Sequence, residues 1–523
     1  MLPVLRMLVV TVAVVVLPAC TAPVALTDEQ LAKNGKAYMD GLSAVSRQSD
    51  QSISLERAVA LALQNNLEFQ MRSLEAAIAS GNRKLTGISM LPSLTAQAGY
   101  RSRNNVLASV SRSVDTGNIS LIPSTSSDQR SHNESLVLGW NMLDFGLQYF
   151  RAKQYGEQEL IATEERRRAM QVIAKDVAYY WWMAKGFDDI QPDVDAVRGD
   201  IEQALRNASA LASAKFNNPA DYLDYSKSLY LTLKRMDRLM LDMSQARLEL
   251  AKLMGMPAGV PITLTADDGL MLPAMPEARL AQWQMAALIF RPEIRQAEYR
   301  IRINQHERRA FWWGLLPSLS FGYGTYHDSN SYLVNNNWNE FGAQLGWNMI
   351  KLAGVPAGYH MQKASRELAE TQARMQATTV VSQVAIALSS LKSATHFSCV
   401  SASLADVDSR RLSIMNARAG AAVLDRLSLI RAKVDNLLLR AEYATDRAEL
   451  QRSRATVLAS IGIGLVPDDL DGKDSYEVAS RLEGWWKTGL SEQLKVVIRD
   501  AGTEGDSSPL VSIPGQEESE LCL

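Results

Sequence analysis

Side chains able to do chemistry are few in this chain, and their spacing favours none of the common reactions. The five histidines, His132, His306, His327, His360 and His396, show no metal-ligand spacing, and the chain has neither a nucleophile elbow nor a phosphate-binding glycine loop. Three cysteines, Cys20, Cys399 and Cys522, are too few for a disulfide framework and lack the paired spacing of a zinc site. Arg166-Arg167-Arg168 after Glu164-Glu165 reads as a solvated helix face with pairs four residues apart. An enzyme finds little support here, and neither a metal nor a cofactor is expected. The 55 Lys and Arg against 57 Asp and Glu leave a net charge of −2, with no basic field to hold nucleic acid.

Cys20 offers a different chemistry. Arg6 precedes an apolar run over residues 7–17, and Leu17-Pro18-Ala19-Cys20 follows. This is the order of a secretory signal, with small residues before a cysteine as in the bacterial lipobox, where cleavage leaves a cysteine sulfur that carries a diacylglycerol. Thr21 follows in place of the aspartate that would redirect such a lipoprotein away from the outer membrane. An ordinary signal peptide cut near Ala19 or Ala22 remains the alternative, and both readings export the chain.

At 523 residues and 47% hydrophobic content the chain can bury a sizeable core. Beyond the signal no stretch approaches the ~18 uncharged apolar residues of a spanning helix, which leaves a β-type membrane protein open. The length itself is a duplication. Leu91-Pro92-Ser93-Leu94 returns at residues 316–319, an offset of 225, and "LGWNM" at 138–142 returns at 345–349, an offset of 207. Glu68 and Glu293 keep the first offset, and the difference of 18 places an insertion between the two strings of the first half.

Each unit has one grammar. Helical stretches over 54–90 and 277–315 are stopped at Pro92 and Pro317, which lack an N–H and clash with the preceding turn. Alternating segments follow: "SLTAQAGYR" from Ser93, "SLVLGWNM" from Ser135, "SLSFGYGTY" from Ser318 and "FGAQLGWNM" from Phe341. Period-two alternation predicts strands, each about nine residues, the length of a tilted strand crossing an outer membrane. Tyr100, Trp140, Tyr323, Tyr326, Trp338 and Trp347 lie near segment ends, where amphipathic rings favour the headgroup level. Residues 102–133, rich in Ser, Arg and Asn, read as an extracellular loop. A pair of soluble hairpins is the competing reading. In lipid, four strands cannot close a barrel and open edges cost several kcal/mol per unsatisfied group, so two or more copies must share one; three would give twelve strands.

Long helical stretches follow over 145–216 and 359–418. Val194, Val197, Ile201, Ala204, Ala208 and Leu211 repeat by threes and fours as a coiled-coil seam, as do Leu229, Leu233, Met236, Met240 and Met243. A kink is predicted at Pro192. Asn217-Asn218-Pro219-Ala220 and Ala419-Gly420-Ala421 break the two helices, and the returning chains end near Gly255-Met256-Pro257 and Gly462-Ile463-Gly464.

The duplicated strings, the "LERAVALALQNN" start at Leu55 and the two hairpin tips together resemble the TolC family of outer-membrane channel-tunnels over residues 52–465. The resemblance implies a fold that is mainly α with a β-barrel part: a homotrimer with a twelve-stranded barrel in outer-membrane lipid, continued through the periplasm by an α-helical barrel. It implies a periplasmic adaptor (membrane fusion) protein and an inner-membrane pump of resistance-nodulation-division or ABC type as partners. The implied cargo is drugs and other small molecules, or a protein in type I secretion. Asp224 and Asp425 fall where the family places a gate aspartate, with Asp221 nearby, although Lys227 and Ser428 stand where a second acid often follows. Asn217, Asn218, Pro219, Ala419 and Gly420 would form the tips that meet the adaptor. Tyr100, Trp140, Tyr323, Trp338 and Trp347 would mark the barrel's lipid interfaces. The organisation expected is a signal peptide (1–19), a lipid-anchored linker (20–51), a first repeat (52–257), a linker (258–276), a second repeat (277–466) and a partly disordered C-terminal equatorial segment (467–523) containing Trp485-Trp486. A lipidated periplasmic coiled-coil scaffold without a pore is the reading from another class.

Overall fold

In a computed structural model, which describes residues 25–46, 52–213, 219–257, 260–265, 272, 275–420, 426–467, 474–501 and 510–511, the two halves of the duplication fold into the same series of elements. Helix α1 (Asp28–Ser46) precedes them and is exposed along its described side chains. In the first half, Ser54 accepts from the Arg57 N–H at 3.3 Å and starts α2 (Leu55–Asn65). Asn66 ends it and caps α3 (Leu67–Ile88), accepting from the N–H groups of Glu68 and Phe69 at 3.0 and 3.2 Å. The predicted single helix over 54–90 is therefore two, because Asn66 is extended and its side chain satisfies the donors of a new first turn.

Past Pro92 the chain enters β1 (Ser93–Ser102), then a small hairpin of β2 (Ala108–Ser109) and β3 (Ser124–Thr125), then β4 (Arg130–Asn141). The stretch read as an extracellular loop carries strand pairing of its own, extended by an Arg112–Ile119 bridge and turned at Gly117. Asn141 caps α4 (Met142–Asp188), and α5 (Gln191–Ser213) continues in its place. The kink predicted at Pro192 is a helix break just before it. Proline becomes the second residue of α5, where its missing N–H costs nothing. Helix α6 (Pro219–Leu253) returns.

The second half has a short β5 (Ala278–Arg279), then α7 (Leu280–Phe290) and α8 (Pro292–Trp313), with Pro292 at the start of α8. Strands β6 (Ser318–Asp328) and β7 (Asn337–Gly346) follow, a short 3-10 turn (Met349–Gly354) capped by Asn348, then α9 (Val355–Gly420) and α10 (Arg426–Ser460). Helices α2 and α3 recur as α7 and α8 at the offset of 225. Asn141 recurs as Asn348, and α6 recurs as α10, at 207. At ~1.5 Å per residue the 66 residues of α9 run about 100 Å.

Strands pair in the order β1-β4-β6-β7, all antiparallel, so the sheet is open, with β1 and β7 as edges. The largest core lies away from it, where α2 (Ala58–Ala62), the middle of α4 (Met170, Val177, Trp181), α7 (Trp283) and the end of α10 (Val457, Leu458) meet. The Trp181 indole donates to the Ile53 carbonyl at 3.1 Å, and Arg454, whose pKa burial lowers, donates to the Leu272 carbonyl at 2.9 Å. The C-terminal helices α11 (Ser475–Gly484) and α12 (Leu490–Asp500), joined by a turn at Trp485–Gly489, pack on this core. Trp486 is buried and donates to the Leu465 carbonyl at 2.6 Å. Strand β8 (Leu510–Val511) pairs with β5.

Candidate functional site: the open sheet and the helical wall

Alternation divides the sheet into two unlike faces. Registers Leu94↔Leu138↔Tyr323↔Phe341 and Trp140↔Phe321↔Ala343 place Leu94, Leu136, Leu138, Trp140, Leu319, Tyr323, Phe341 and Leu345 on one face. The other face carries Thr95, Gln97, Ser135, Asn133, Ser320, Gln344 and Glu340. A sheet that packs on a core buries its apolar side. Here Leu94, Leu138, Tyr323, Phe341 and Leu345 are all exposed. Among the described residues nothing covers the apolar face, and β1 and β7 each have one unpaired edge.

Of the aromatics placed near strand ends, Tyr100, Trp140 and Tyr323 share the apolar face. The register sets Trp338 and Tyr326 on the polar face, where their rings stack at 5.4 Å between centroids and 11° between planes. Trp347 follows β7, its indole donating to the Leu315 carbonyl at 3.0 Å beside the start of β6. Beyond the far end of the sheet two connections are tied together. The N–H and hydroxyl of Ser331 donate to the Asp128 carboxylate at 2.6 and 2.9 Å, and the Asn330 amide donates to the Ser126 carbonyl at 2.9 Å.

At the other end of the sheet stand the long helices. The seam predicted between α5 and α6 forms: Val194, Val197, Ile201 and Ala204 are buried with Leu229, Met236 and Met243, while the side chains of Ala208 and Leu211 lie outside the described residues. The Glu164–Arg168 stretch is not the solvated face expected of it. Glu164 is buried, with Arg295 at 3.4 Å and Arg167 at 3.7 Å; Arg168 reaches Glu293 at 3.3 Å, and Arg291 bonds Glu293 at 2.9 Å. The Glu164–Arg295 and Arg168–Glu293 pairs join α4 of the first half to α8 of the second, a constraint that single-sequence helix spacing cannot reveal. Apolar stripes also run uncovered along the outside of two helices. On α3 they are Leu67, Met71, Leu74, Ile78 and Leu85, and on α9 Phe397, Val400, Leu404, Val407 and Ile414, all at coiled-coil spacing and all exposed.

At the hairpin tips, Asp224 and Lys227 are exposed on α6 and Ser428 on α10. Pro219 opens α6, and Ala419 and Gly420 close α9. Asn217, Asn218 and Asp425 lie outside the described residues, as does Cys20, and the Asp221 side chain is likewise outside them. The 207 offset that matches α6 to α10 pairs Asp224 with Arg431 and Asp425 with Asn218. The two tip aspartates are therefore not repeats of one position. Among the described residues no three acidic, histidine or cysteine side chains are placed to hold a metal, and no helix is long and apolar enough to cross a membrane.

An open sheet with an apolar face, continued by long paired helices and built twice, is the fold of a TolC-like outer-membrane channel. Among solved structures the chain is similar to a membrane protein from Pseudomonas aeruginosa, at 16% identity and a TM-score of 0.62, over 82% of this chain and 94% of that one. It is similar to the outer-membrane channel OprN at 16% identity and a TM-score of 0.59, over 78% and 90% of the two chains. It is also similar to the open state of the Neisseria gonorrhoeae MtrE outer membrane channel at 18% identity and a TM-score of 0.58, over 79% and 89%. No protein-family model and no curated protein sequence matches the chain.

Proposed function

We propose that this chain is the outer-membrane exit duct of a tripartite export system, in which three copies close one twelve-stranded barrel and conduct small molecules, drugs and toxic compounds among them, delivered by an inner-membrane pump of resistance-nodulation-division or ABC type through a periplasmic adaptor. The observation that carries this is the sheet with two exposed, chemically opposite faces and two unpaired edges. In lipid, free ladder groups are tolerated only when another strand takes them up. Closing β7 of one copy on β1 of the next supplies that strand, turns the apolar face to lipid and leaves the polar face as the lumen. Ten residues of β1 at about 3.4 Å each, tilted about 45°, rise about 24 Å, close to the apolar band of outer-membrane barrels. The stripes on α3 and α9 then become seams between copies.

In this reading Cys20 carries the lipid, the tips at Asn217, Asn218, Pro219, Ala419 and Gly420 meet the adaptor, and Asp221, Asp224 and Asp425 set the charge of the narrow end. Carboxylates repeated around one axis favour cations. Because Asp224 and Asp425 are not equivalent in the duplication, each contributes its own ring. The test is ion conductance of the purified full-length protein in planar bilayers. Discrete, cation-preferring currents are expected. A folded, assembled protein without conductance overturns the duct in favour of a scaffold.

A further inference from the structure

Across the polar face, one row of the register brings together Gln97 of β1, Ser135 of β4, Tyr326 of β6 and Trp338 of β7. A cavity of about 590 Å³ lies along this row, lined by these four residues and their immediate strand neighbours, within the ~300–1,000 Å³ of small-molecule sites. The two rings stack almost in parallel, and Tyr326 lies down over its own strand: a Cβ added at Gly324 would come within 2.8 Å of the phenol ring. Trp338 nevertheless remains exposed. The cross-strand stack steadies the pairing of β6 and β7, and the exposed part of the Trp338 ring is left for a solute to meet.

At the offsets that relate the two halves, Tyr326 corresponds to Arg101 and Trp338 to Ser131, so the strand pair does not need rings at these positions. Charge gives the site a sign. Glu340 lies on the same face two residues from Trp338, and Asp328 two residues beyond Tyr326, while Arg101 is the one Lys or Arg that the paired strands place on this face, four residues along β1 from Gln97. A cation over an indole face is attracted to the ring electrons, and nearby carboxylates add to that attraction.

We propose that the Tyr326–Trp338 platform, with Glu340, is a binding station for planar aromatic cations on the polar face of the sheet. Its position in a lumen rests on the duct reading, but its existence in the chain does not. The Gln97 amide and Ser135 hydroxyl supply hydrogen bonds at the rim. Solutes of this class would pause on the wall before leaving, whereas anions and non-aromatic cations would not.

Fluorescence titration of ethidium, a planar aromatic cation, against the detergent-solubilised full-length protein tests this, with fluorescein and tetraethylammonium as the anionic and non-aromatic comparators. Saturable ethidium binding is expected, about tenfold weaker in Trp338→Ala and about threefold weaker in Glu340→Gln, with Trp338→Phe close to the parent protein. Fluorescein should not bind saturably, and tetraethylammonium should not displace ethidium. Equal ethidium affinity in the parent and Trp338→Ala proteins, or the absence of saturable binding, overturns the proposal. Bilayer currents from the same preparations keep the two readings apart: ion conductance with no ethidium site sinks the station alone, and an ethidium site lost in Trp338→Ala without conductance sinks the duct alone.

Discussion

Two glycines turn both long hairpins back into the core. Gly255 and Gly462 have φ of +71° and +81°, and each closes its helix with the same pair of bonds. Met256 and Ile463 donate five residues back to Ala251 and Leu458 at 2.9 and 3.0 Å, and the glycine N–H groups donate three residues back, to Lys252 and Ala459. At Gly462 a side chain would also meet the backbone of Phe290 and Arg291. Gly462→Ala is therefore expected to cost about 1–2 kcal/mol for the left-handed backbone alone, and more once the contact is included, read as a lower melting temperature at fixed protein concentration. His306 on α8 behaves differently. Burial holds its pKa below the ordinary 6.5, helped by Arg309, Lys153 and Arg302 and opposed by Glu157, whose carboxylate lies 3.9 Å away. Since the folded protein takes up this proton less readily than the unfolded chain, the contribution of His306 is intact above about pH 6.5 and is lost as pH falls through its lower folded value. Melting temperatures between pH 5 and 8 should accordingly fall less steeply on the acid side for His306→Asn than for the parent; parallel curves would contradict the assignment.

At the scale of elements, the repeat of the two strings carried most of the architecture: α7, α8, β6, β7 and α10 sit where the offsets of 225 and 207 put them, whereas α9 starts later than its counterpart and runs unbroken where α4 and α5 are separated. The seam of α5 and α6 was also legible, since Val194, Ile201, Leu229 and Met236 follow a period that only a paired helix explains. Leu229 is fully buried, and Leu229→Ala should cost about 3 kcal/mol through lost contact and a residual cavity, visible as faster proteolysis of the hairpin and a lower melting point. Other features were not legible for definite reasons. Asn66 and Arg291 split helices whose apolar period runs on unbroken across them. Strand alternation locates Tyr326 and Trp338 but cannot say which parity faces which side until the register with neighbouring strands is known. Glu164 looked solvated because one of its partners, Arg295, lies 131 residues away on another helix, while only Arg167 is local. The tip aspartates are placed by resemblance to the family alone, since the duplication pairs Asp224 with Arg431 and Asp425 with Asn218.

For the whole molecule, the chain is half of each surface it presents. Its sheet exposes an apolar face and two bare edges, and α3 and α9 expose apolar stripes of coiled-coil spacing. Among the described residues of one copy nothing covers them, and in the proposed duct a ring of copies would satisfy them together. The most direct measurement is disulfide crosslinking between the edge strands, with Ala96→Cys or Ala98→Cys on β1 combined with Ala343→Cys on β7. Within one chain β1 and β7 are separated by β4 and β6, about 14 Å at ~4.8 Å per strand, too far for a disulfide, so any bond formed must join two copies. The account predicts that one of these pairs, oxidised in native membranes, gives a ladder of two and three chains that stops at three, with the single-cysteine proteins giving none. Edge cysteines that never crosslink, or a ladder that ends at another number, would contradict it.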